Sequence, residues 1–168
     1  MIRVTDETID LRFYEFNTAR TSQKSTVNRI ARMLQVGNCH NMSEPLAIAV
    51  NLKDIDPESL VDGYSESTHQ PPLGIASFTT ESPTLYVIAG VHRILAGQQA
   101  SAFLRRRIEE FQKNIKHATQ AHGDSEFDPR SHGPSDTITT QEDAVVAAEA
   151  TIALAETWPV YFYDLGKS

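Results

Sequence analysis

Five segments of the chain are short, apolar and bounded by turn-forming residues. This pattern predicts strands, and the segments are "IDLRFYEF" (9–16), "EPLAIAVNL" (44–52), "LGIASFTT" (73–80), "TLYVIA" (84–89) and "WPVYFYDL" (158–165). The second segment is apolar on both faces, as expected of a strand that is covered on both sides. In the last segment Pro159 stands at the start, where a missing N–H is tolerated.

Apolar residues three and four positions apart predict a helix over "STVNRIARMLQ" (25–35). Its buried stripe is expected to consist of Val27, Ile30, Ala31 and Leu34. Ser25 or Thr26 is expected to cap this helix, and Gly37 stands where a helix C-cap would be. The two hydroxyls could hold a phosphate as well as cap the helix.

A second helix is predicted from Val91 to about residue 119, with an apolar stripe at Leu104, Ile108, Phe111 and Ile115. The alanine-rich segment 139–157 predicts a third helix, begun by a capping box of Thr139 and Glu142. Residues 122–138 between them are rich in Gly, Pro, Ser and Asp, which predicts a mobile loop. The two helices are expected to form an antiparallel hairpin through Val145, Ala148, Ile152 and Ala155. The small residues of this hairpin would also suit a homodimer interface.

The composition limits the class of protein. The chain has 168 residues, of which 40% are apolar, and this is enough for one domain with a core. A formal charge of −7 disfavours generic DNA binding but says nothing against a small phosphate ligand. The single cysteine, Cys39, excludes an internal disulfide. Without a signal-peptide core or a run of about 20 apolar residues, an intracellular protein, cytoplasmic or nuclear, with no membrane partner is expected.

The segment "YVIAGVHRILAGQQA" (86–100) places a glycine, an imidazole and a guanidinium between a strand and a helix. The N-terminus of a helix favours an anion such as phosphate, because it presents unpaired N–H groups and a positive dipole end. Gly90 would allow a close approach, Arg93 would hold phosphate oxygens, and His92 would donate a hydrogen bond or act as acid or base. By spacing alone, a plain turn with a solvated Arg93 explains the segment equally well.

The same segment resembles the central motif of the ParB/sulfiredoxin superfamily, in which a strand is followed by Gly-x-x-Arg or Gly-x-His-Arg and a helix. "FNTARTSQKSTVNRIARMLQ" (16–35) is similar to the family's Asn-x-Arg segment and first helix. "EPLAIAVNL" and "WPVYFYDL" are similar to two of its strands. The resemblance implies a single α/β (α+β) domain over 1–168 with a small mixed sheet. Residues 101–157, which match nothing in the family, look like a helical insertion.

A nucleotide site is what this resemblance implies. In ParB-like members the two motifs bind the phosphates of CTP, and in free-serine kinases and sulfiredoxins a similar turn binds ATP or ADP. The matching positions of this chain are Gly90, Val91, His92, Arg93, Arg20 and Asn17. Two residues separate Asn17 from Arg20, where one is usual, so these two matches are weaker. The implied cofactors are a nucleoside triphosphate or diphosphate and Mg²⁺.

The chain departs from the family directly before His92. Sulfiredoxin needs a cysteine there, and Val91 cannot form a thiolate, so sulfiredoxin activity is not expected. In ParB-like members and serine kinases an acidic or polar residue often stands at or beside this position, so Val91 also removes a candidate base. Cys39 is predicted to be a small buried residue. A reaction would have to use His92 or an acid from elsewhere, such as Glu15, Asp54 or Asp56.

Two other groups of residues have simpler explanations than a ligand. The segment 103–118 contains five cations, but Glu109 and Glu110 are interleaved with them, which indicates a solvated helix face. Four metal-ligating residues match no zinc signature, so a polar loop is preferred for His117, His122, Asp124 and His132.

Three functions therefore remain open from the sequence. The first is a nucleotide-binding domain, with an NTPase or a phosphotransferase as its activity and His92 as the candidate catalytic residue. The second is a DNA-binding module or nuclease, which the net charge and the lack of a clear helix-turn-helix segment disfavour. The third is an interaction domain that keeps the fold and has lost the site.

Overall fold

A computed structural model describes residues 1–13, 23–37, 45–61, 74–123 and 134–166. In these residues the elements are β1 (Ile2–Arg3), β2 (Asp10–Phe13), α1 (Lys24–Gln35), β3 (Leu46–Val50), β4 (Thr84–Ala89), α2 (Val91–Gly123), α3 (Pro134–Glu156), β5 (Thr157–Trp158) and β6 (Val160–Asp164). Two 3-10 turns, Leu52–Asp54 and Pro57–Ser59, follow β3. Helices and small sheets are thus mixed in one chain, which confirms the predicted α+β class.

Four strands form the main sheet, in the order β2-β4-β3-β6. β4 runs parallel to β2 and antiparallel to β3, and β3 runs parallel to β6. β1 and β5 form a separate antiparallel pair. Because of these directions, the ends of β2 and β4 and the starts of β3 and β6 share one edge of the sheet. We call it the Gly90 edge, after the residue that follows β4.

One face of the main sheet carries the core, which α1 and α2 cover. In β4 buried residues alternate with more exposed ones, as the period of a strand requires, whereas β3 is buried at Ala49 as well. The buried strand residues of the core include Leu46, Ile48, Val50, Leu85 and Val87. The stripe predicted for α1 is confirmed: Val27, Ala31 and Leu34 are buried in the same core and Ile30 packs against it. Ile94 and Ala100 of α2 complete this layer.

α2 and α3 form the predicted antiparallel hairpin. Leu104 of α2 packs with Ala148 and Ile152 of α3 in a second buried cluster. Nearer to the sheet, a Cβ at Gly97 would lie 2.6 Å from the carbonyl oxygen of Ala155, so the helices approach closely there. Small residues therefore set the distance between the two helices.

α3 begins earlier than its sequence pattern predicts. Its first residue is Pro134, so residues 134–138 are helical and are not part of a mobile loop. Proline favours the first turn of a helix, where an N–H would have no partner inside the helix. The capping box predicted for Thr139 and Glu142 is wrong, because Thr139 lies inside the helix. Residues 124–133 of the predicted loop lie outside the described part of the chain.

The predicted strands differ in how well they match the structure. The segment 84–89 is a strand over its whole predicted length. The last predicted strand divides at Pro159 into β5 and β6, which pair with different partners. The segment 73–80 is not a strand, since in its described part Phe78 makes an isolated bridge with Ile55.

None of the helices in the described residues combines the length and the apolarity that a membrane crossing requires.

The basic segment of α2 contains an ion pair that its sequence does not indicate. Nη2 of Arg105 lies 2.7 Å from Oε1 of Glu156, whose side chain is only 4% exposed. Arg107 lies over the ring of Phe111, 5.2 Å from its centre. The ion pair between Arg105 and Glu156 joins the C-terminal end of α3 to α2.

We predict that Arg105→Ala lowers the free energy of unfolding by about 1–3 kcal/mol, because the buried carboxylate of Glu156 loses its hydrogen-bonding cation. Urea denaturation measures this loss. Lys113→Ala removes the same charge from an exposed position of α2 and is expected to change stability by no more than about 0.5 kcal/mol. Equal losses in the two variants would show that the ion pair adds nothing.

Candidate functional site

The turn between β4 and α2 depends on Gly90. Its φ is +102°, a conformation that other residues rarely adopt. Its carbonyl oxygen accepts hydrogen bonds from the N–H groups of Arg93 at 2.9 Å and Ile94 at 3.1 Å, so α2 starts directly after the strand. A Cβ at Gly90 would overlap the side chain of Leu46 in β3. The backbone angle and the packing both require glycine here.

The N-termini of α1 and α2 lie together at the Gly90 edge. Nε2 of His92, in the first turn of α2, accepts a hydrogen bond of 3.2 Å from the N–H of Gln23, the N-cap residue of α1. Farther along, the side chain of Gln99 in α2 donates to that of Asn28 in α1 at 3.1 Å. The two helices therefore run side by side in the same direction. Both positive dipole ends are at one edge of the sheet.

His92 has a structural role in this arrangement. A neutral imidazole that accepts a hydrogen bond at Nε2 carries its proton on Nδ1. The nitrogen that would act as a general base is thus occupied by a peptide N–H of α1. An acid or base role for His92 would have to use Nδ1 or break the bond to Gln23.

The first turn of α1 has no side-chain cap. Ser25 and Thr26, which were predicted to cap it, lie inside the helix, and the N-cap residue is Gln23. The hydroxyl of Thr26 donates to Oε1 of Gln23 at 3.3 Å. The N–H groups of Lys24 and Ser25 have no acceptor among the described residues. First-turn N–H groups of this kind take their acceptors from outside the helix.

Two cations belong to the same edge. Arg93 extends toward the start of β3, where its Nη1 donates a hydrogen bond of 3.5 Å to the carbonyl oxygen of Pro45. Lys24 is the first residue of α1 and is exposed. Among the described residues, the backbone N–H groups of Val91 and His92 also have no acceptor. Donors and positive charge are thus concentrated in two adjacent first turns.

Sequence analysis did not identify Lys24 or Gln23 as residues of this edge. Lys24 has a local signal, since a cation in the first turn is repelled by the positive end of the helix dipole. Such an unfavourable choice indicates a role outside the helix. Gln23 has no local signal, because its part in the site depends on His92, 69 residues farther along the chain.

Asp54 and Asp56 lie at the opposite edge of the sheet from Gly90. They follow the end of β3, which runs antiparallel to β4 and so leads away from the Gly90 edge. Oδ1 of Asp56 accepts a hydrogen bond of 3.1 Å from the N–H of Glu58 and caps a 3-10 turn. Of the acids that the sequence left open as alternatives to His92, Asp54 and Asp56 therefore do not belong to the Gly90 edge. Outside the described residues lie Asn17, Arg20, Glu15, Cys39, Asp124 and His132.

The described residues of the Gly90 edge contain no carboxylate. Residues 23–26, 45–47 and 89–93 include no Asp or Glu. Across the described ranges, no group of three or more metal-ligating side chains occurs. Mg²⁺ usually binds proteins through one or two carboxylates together with substrate phosphates. The described residues of this edge therefore offer Mg²⁺ no carboxylate ligand.

No protein-family model, curated protein or solved structure matches the chain. The resemblance to the ParB/sulfiredoxin superfamily stays a prediction that depends on the quoted motifs. What the site can do is therefore argued from its own geometry. Adjacent N–H donors and cations at one edge suit an anion.

We predict that Gly90→Ala lowers the free energy of unfolding by about 2–5 kcal/mol, because the left-handed angle and the overlap with Leu46 act together. Gly37→Ala is the matched control. Its φ is +71° and nothing lies within 4 Å of the added Cβ, so only the cost of the angle, about 1–2 kcal/mol, is expected. Denaturant titration of both variants compares them, and equal losses would contradict the role of the Leu46 contact.

Proposed function

We propose that the Gly90 edge binds the phosphates of a nucleoside triphosphate or diphosphate, of which ATP, ADP and CTP are implied by the family resemblance. The observation that carries this proposal is the meeting of two helix N-termini, joined by the hydrogen bond from Gln23 to His92. Each N-terminus carries about half a positive charge and N–H groups that need acceptors. An anion at this edge would be attracted by both helices.

The position of the edge in the sheet supports the same ligand. β2 and β4 are parallel neighbours, and their carboxyl ends lead to α1 and α2. In open α/β sheets, ligands bind outside the carboxyl ends of the strands, where loops and helix N-termini gather.

The described residues suggest how the phosphates would be held. Gly90 lets a phosphate approach the backbone, and the N–H groups of both first turns would donate to its oxygens. Lys24 and Arg93 would neutralise charge, and the hydroxyl of Ser25 would add a donor. With no carboxylate and with Nε2 of His92 occupied, these residues support binding, and they do not assign an NTPase or phosphotransferase step.

Thermal unfolding of the purified protein with ATP, ADP, CTP, GTP and UTP, each with and without Mg²⁺, tests the proposal. A ligand at about 100 times its Kd should stabilise the fold by roughly 2.7 kcal/mol. We expect a rise in Tm with at least one nucleotide. No rise with any of them at millimolar concentration would overturn the proposal and favour an interaction domain.

Three alanine variants locate the binding. Arg93→Ala and Lys24→Ala are each expected to raise the Kd of the nucleotide about 10-fold or more, since each removes a charge-assisted hydrogen bond. Lys53→Ala removes an exposed cation at the opposite edge of the sheet and is expected to leave the Kd unchanged. Titration of the nucleotide into each folded variant measures this. Wild-type affinity in Arg93→Ala and Lys24→Ala would place the ligand elsewhere.

A further inference from the structure

Charge is divided unevenly among the three helices. α1 contains Lys24, Arg29 and Arg32 and no acidic residue. Residues 91–108 of α2 contain four arginines and no acidic residue. α3 contains five acidic residues and no cation. Because the whole chain has a charge of −7, the surface of α1 and the first half of α2 is a cationic region on an acidic protein.

A groove of 260 Å³ lies between α1 and α2 on this cationic region. It is lined by Gln35, Gln99, Ala102, Phe103 and Arg106. The ring of Phe103 gives it an apolar part, and this side chain is 45% exposed. Arg32 lies between Asn28 and Gln35 on the stripe of α1 that faces α2, and it is exposed. The groove therefore has an exposed aromatic ring and one arginine, Arg106, in its lining, and Arg32 lies about one helical turn before the lining residue Gln35.

The outward face of α3 has the complementary pattern. Val146 is 65% exposed. Glu142 and Glu149 are exposed on the same stripe, four residues before it and three residues after it. The opposite side of α3 packs on α2 through Ala148 and Ile152. The outward side of α3 therefore presents one apolar side chain, with a carboxylate about one turn away on either side.

We propose that this groove binds a second copy of the chain, by taking the outward face of α3 from that copy. Val146 would enter the groove beside Phe103. Glu142 and Glu149, about one turn away on either side, would pair with Arg106 in the lining of the groove and with Arg32 next to it. An amphipathic helix that lays its apolar stripe in a groove is a common mode of recognition.

Charge complementarity favours this occupant. The lining of the groove has no acidic residue that would repel α3, and α3 has no cation that would repel the groove. A nucleic acid would use the arginines, but it would leave Val146 of α3 exposed. A second copy accounts for both surfaces together.

The contact joins two different surfaces, so it is heterologous and leads to a ring or an open chain. One helix face in one groove is smaller than the roughly 1,200 Å² of a standard stable interface. We therefore expect weak association, with a Kd of about 0.01–1 mM. Because exposed ion pairs contribute to it, the association should weaken as salt is added.

Sedimentation equilibrium or light scattering of the full chain, up to about 1 mM, tests the association. The average mass is expected to rise with concentration at low salt and to fall toward the monomer at about 0.5 M salt. A monomer at every concentration would overturn the proposal. A mass that increases with salt would also overturn it, because that response indicates an apolar contact without ion pairs.

Charge reversal on each surface identifies the partners. The variant Arg32→Glu/Arg106→Glu and the variant Glu142→Lys/Glu149→Lys should each remain monomeric, because each brings like charges together. An equimolar mixture of the two should associate again, whichever glutamate meets which arginine. Lys113→Glu/Lys116→Glu and Glu109→Lys/Glu110→Lys make the same charge changes in the distal half of α2 and should associate like the wild type.

Three results would contradict this assignment of the surfaces. One is wild-type association in either double variant, and another is a mixture that stays monomeric although both variants keep their helical circular dichroism. The third concerns the variant Arg32→Glu/Arg106→Glu. If its average mass equals that of the wild type and it no longer binds single-stranded DNA that the wild type binds, the groove is a nucleic-acid site. Val146→Ser should weaken the association without altering its dependence on salt.

Discussion

The close contact between Gly90 and Leu46 fixes the position at which α2 begins beside β3. With a φ of +102°, Gly90 turns the chain so sharply that the first residue of α2 follows β4 directly. The side chain of Leu46 occupies the space that a Cβ would need. Because the start of α2 is fixed in this way, His92 reaches the N-cap residue of α1. The positions of both helices, and of the groove between them, depend on this contact.

At the start of α1, the backbone N–H of the N-cap residue Gln23 donates a hydrogen bond to the imidazole of His92 in α2. A Ser, Thr, Asp or Asn cap typically contributes about 1 kcal/mol, and α1 has no such side-chain cap. A lysine in its first turn is a second unfavourable local choice. Places where a sequence breaks local rules are expected to be functional sites, because stability is given up there for another purpose. Both departures are in the helix end that meets the first turn of α2, which supports the proposal of an anion at this edge.

Elements that depend on local chemistry could be predicted from the sequence. β4 and the start of α2 were predicted correctly, because an apolar run ends at a glycine and a helical pattern follows it directly. The antiparallel hairpin was predicted from the small residues of α3 at helical spacing. The start of α3 at Pro134 was missed, because the polar residues after the proline were taken for a loop.

Features that depend on distant residues could not be predicted in this way. The bond from Gln23 to His92 joins residues 69 positions apart, and the pair of Arg105 and Glu156 joins residues 51 positions apart. The direction of β3 against β4 decides that Asp54 and Asp56 are far from Gly90. No periodicity in the sequence contains that information, since strands of either direction show the same alternation.

The two proposed sites use different parts of the same pair of helices: the Gly90 edge uses both N-termini, and the groove uses the end of α1 and residues 99–106 of α2. Lys24 and Gln35 are the first and last residues of α1, which places them about 16 Å apart at 1.5 Å per residue. A phosphate at the Gly90 edge would therefore leave the groove beside Gln35 open. At this distance, which exceeds the screening length of about 8 Å at physiological salt, the charge of one ligand would have little effect on the other. Anion binding at the helix N-termini and docking of an acidic helix in the groove are thus compatible in one molecule.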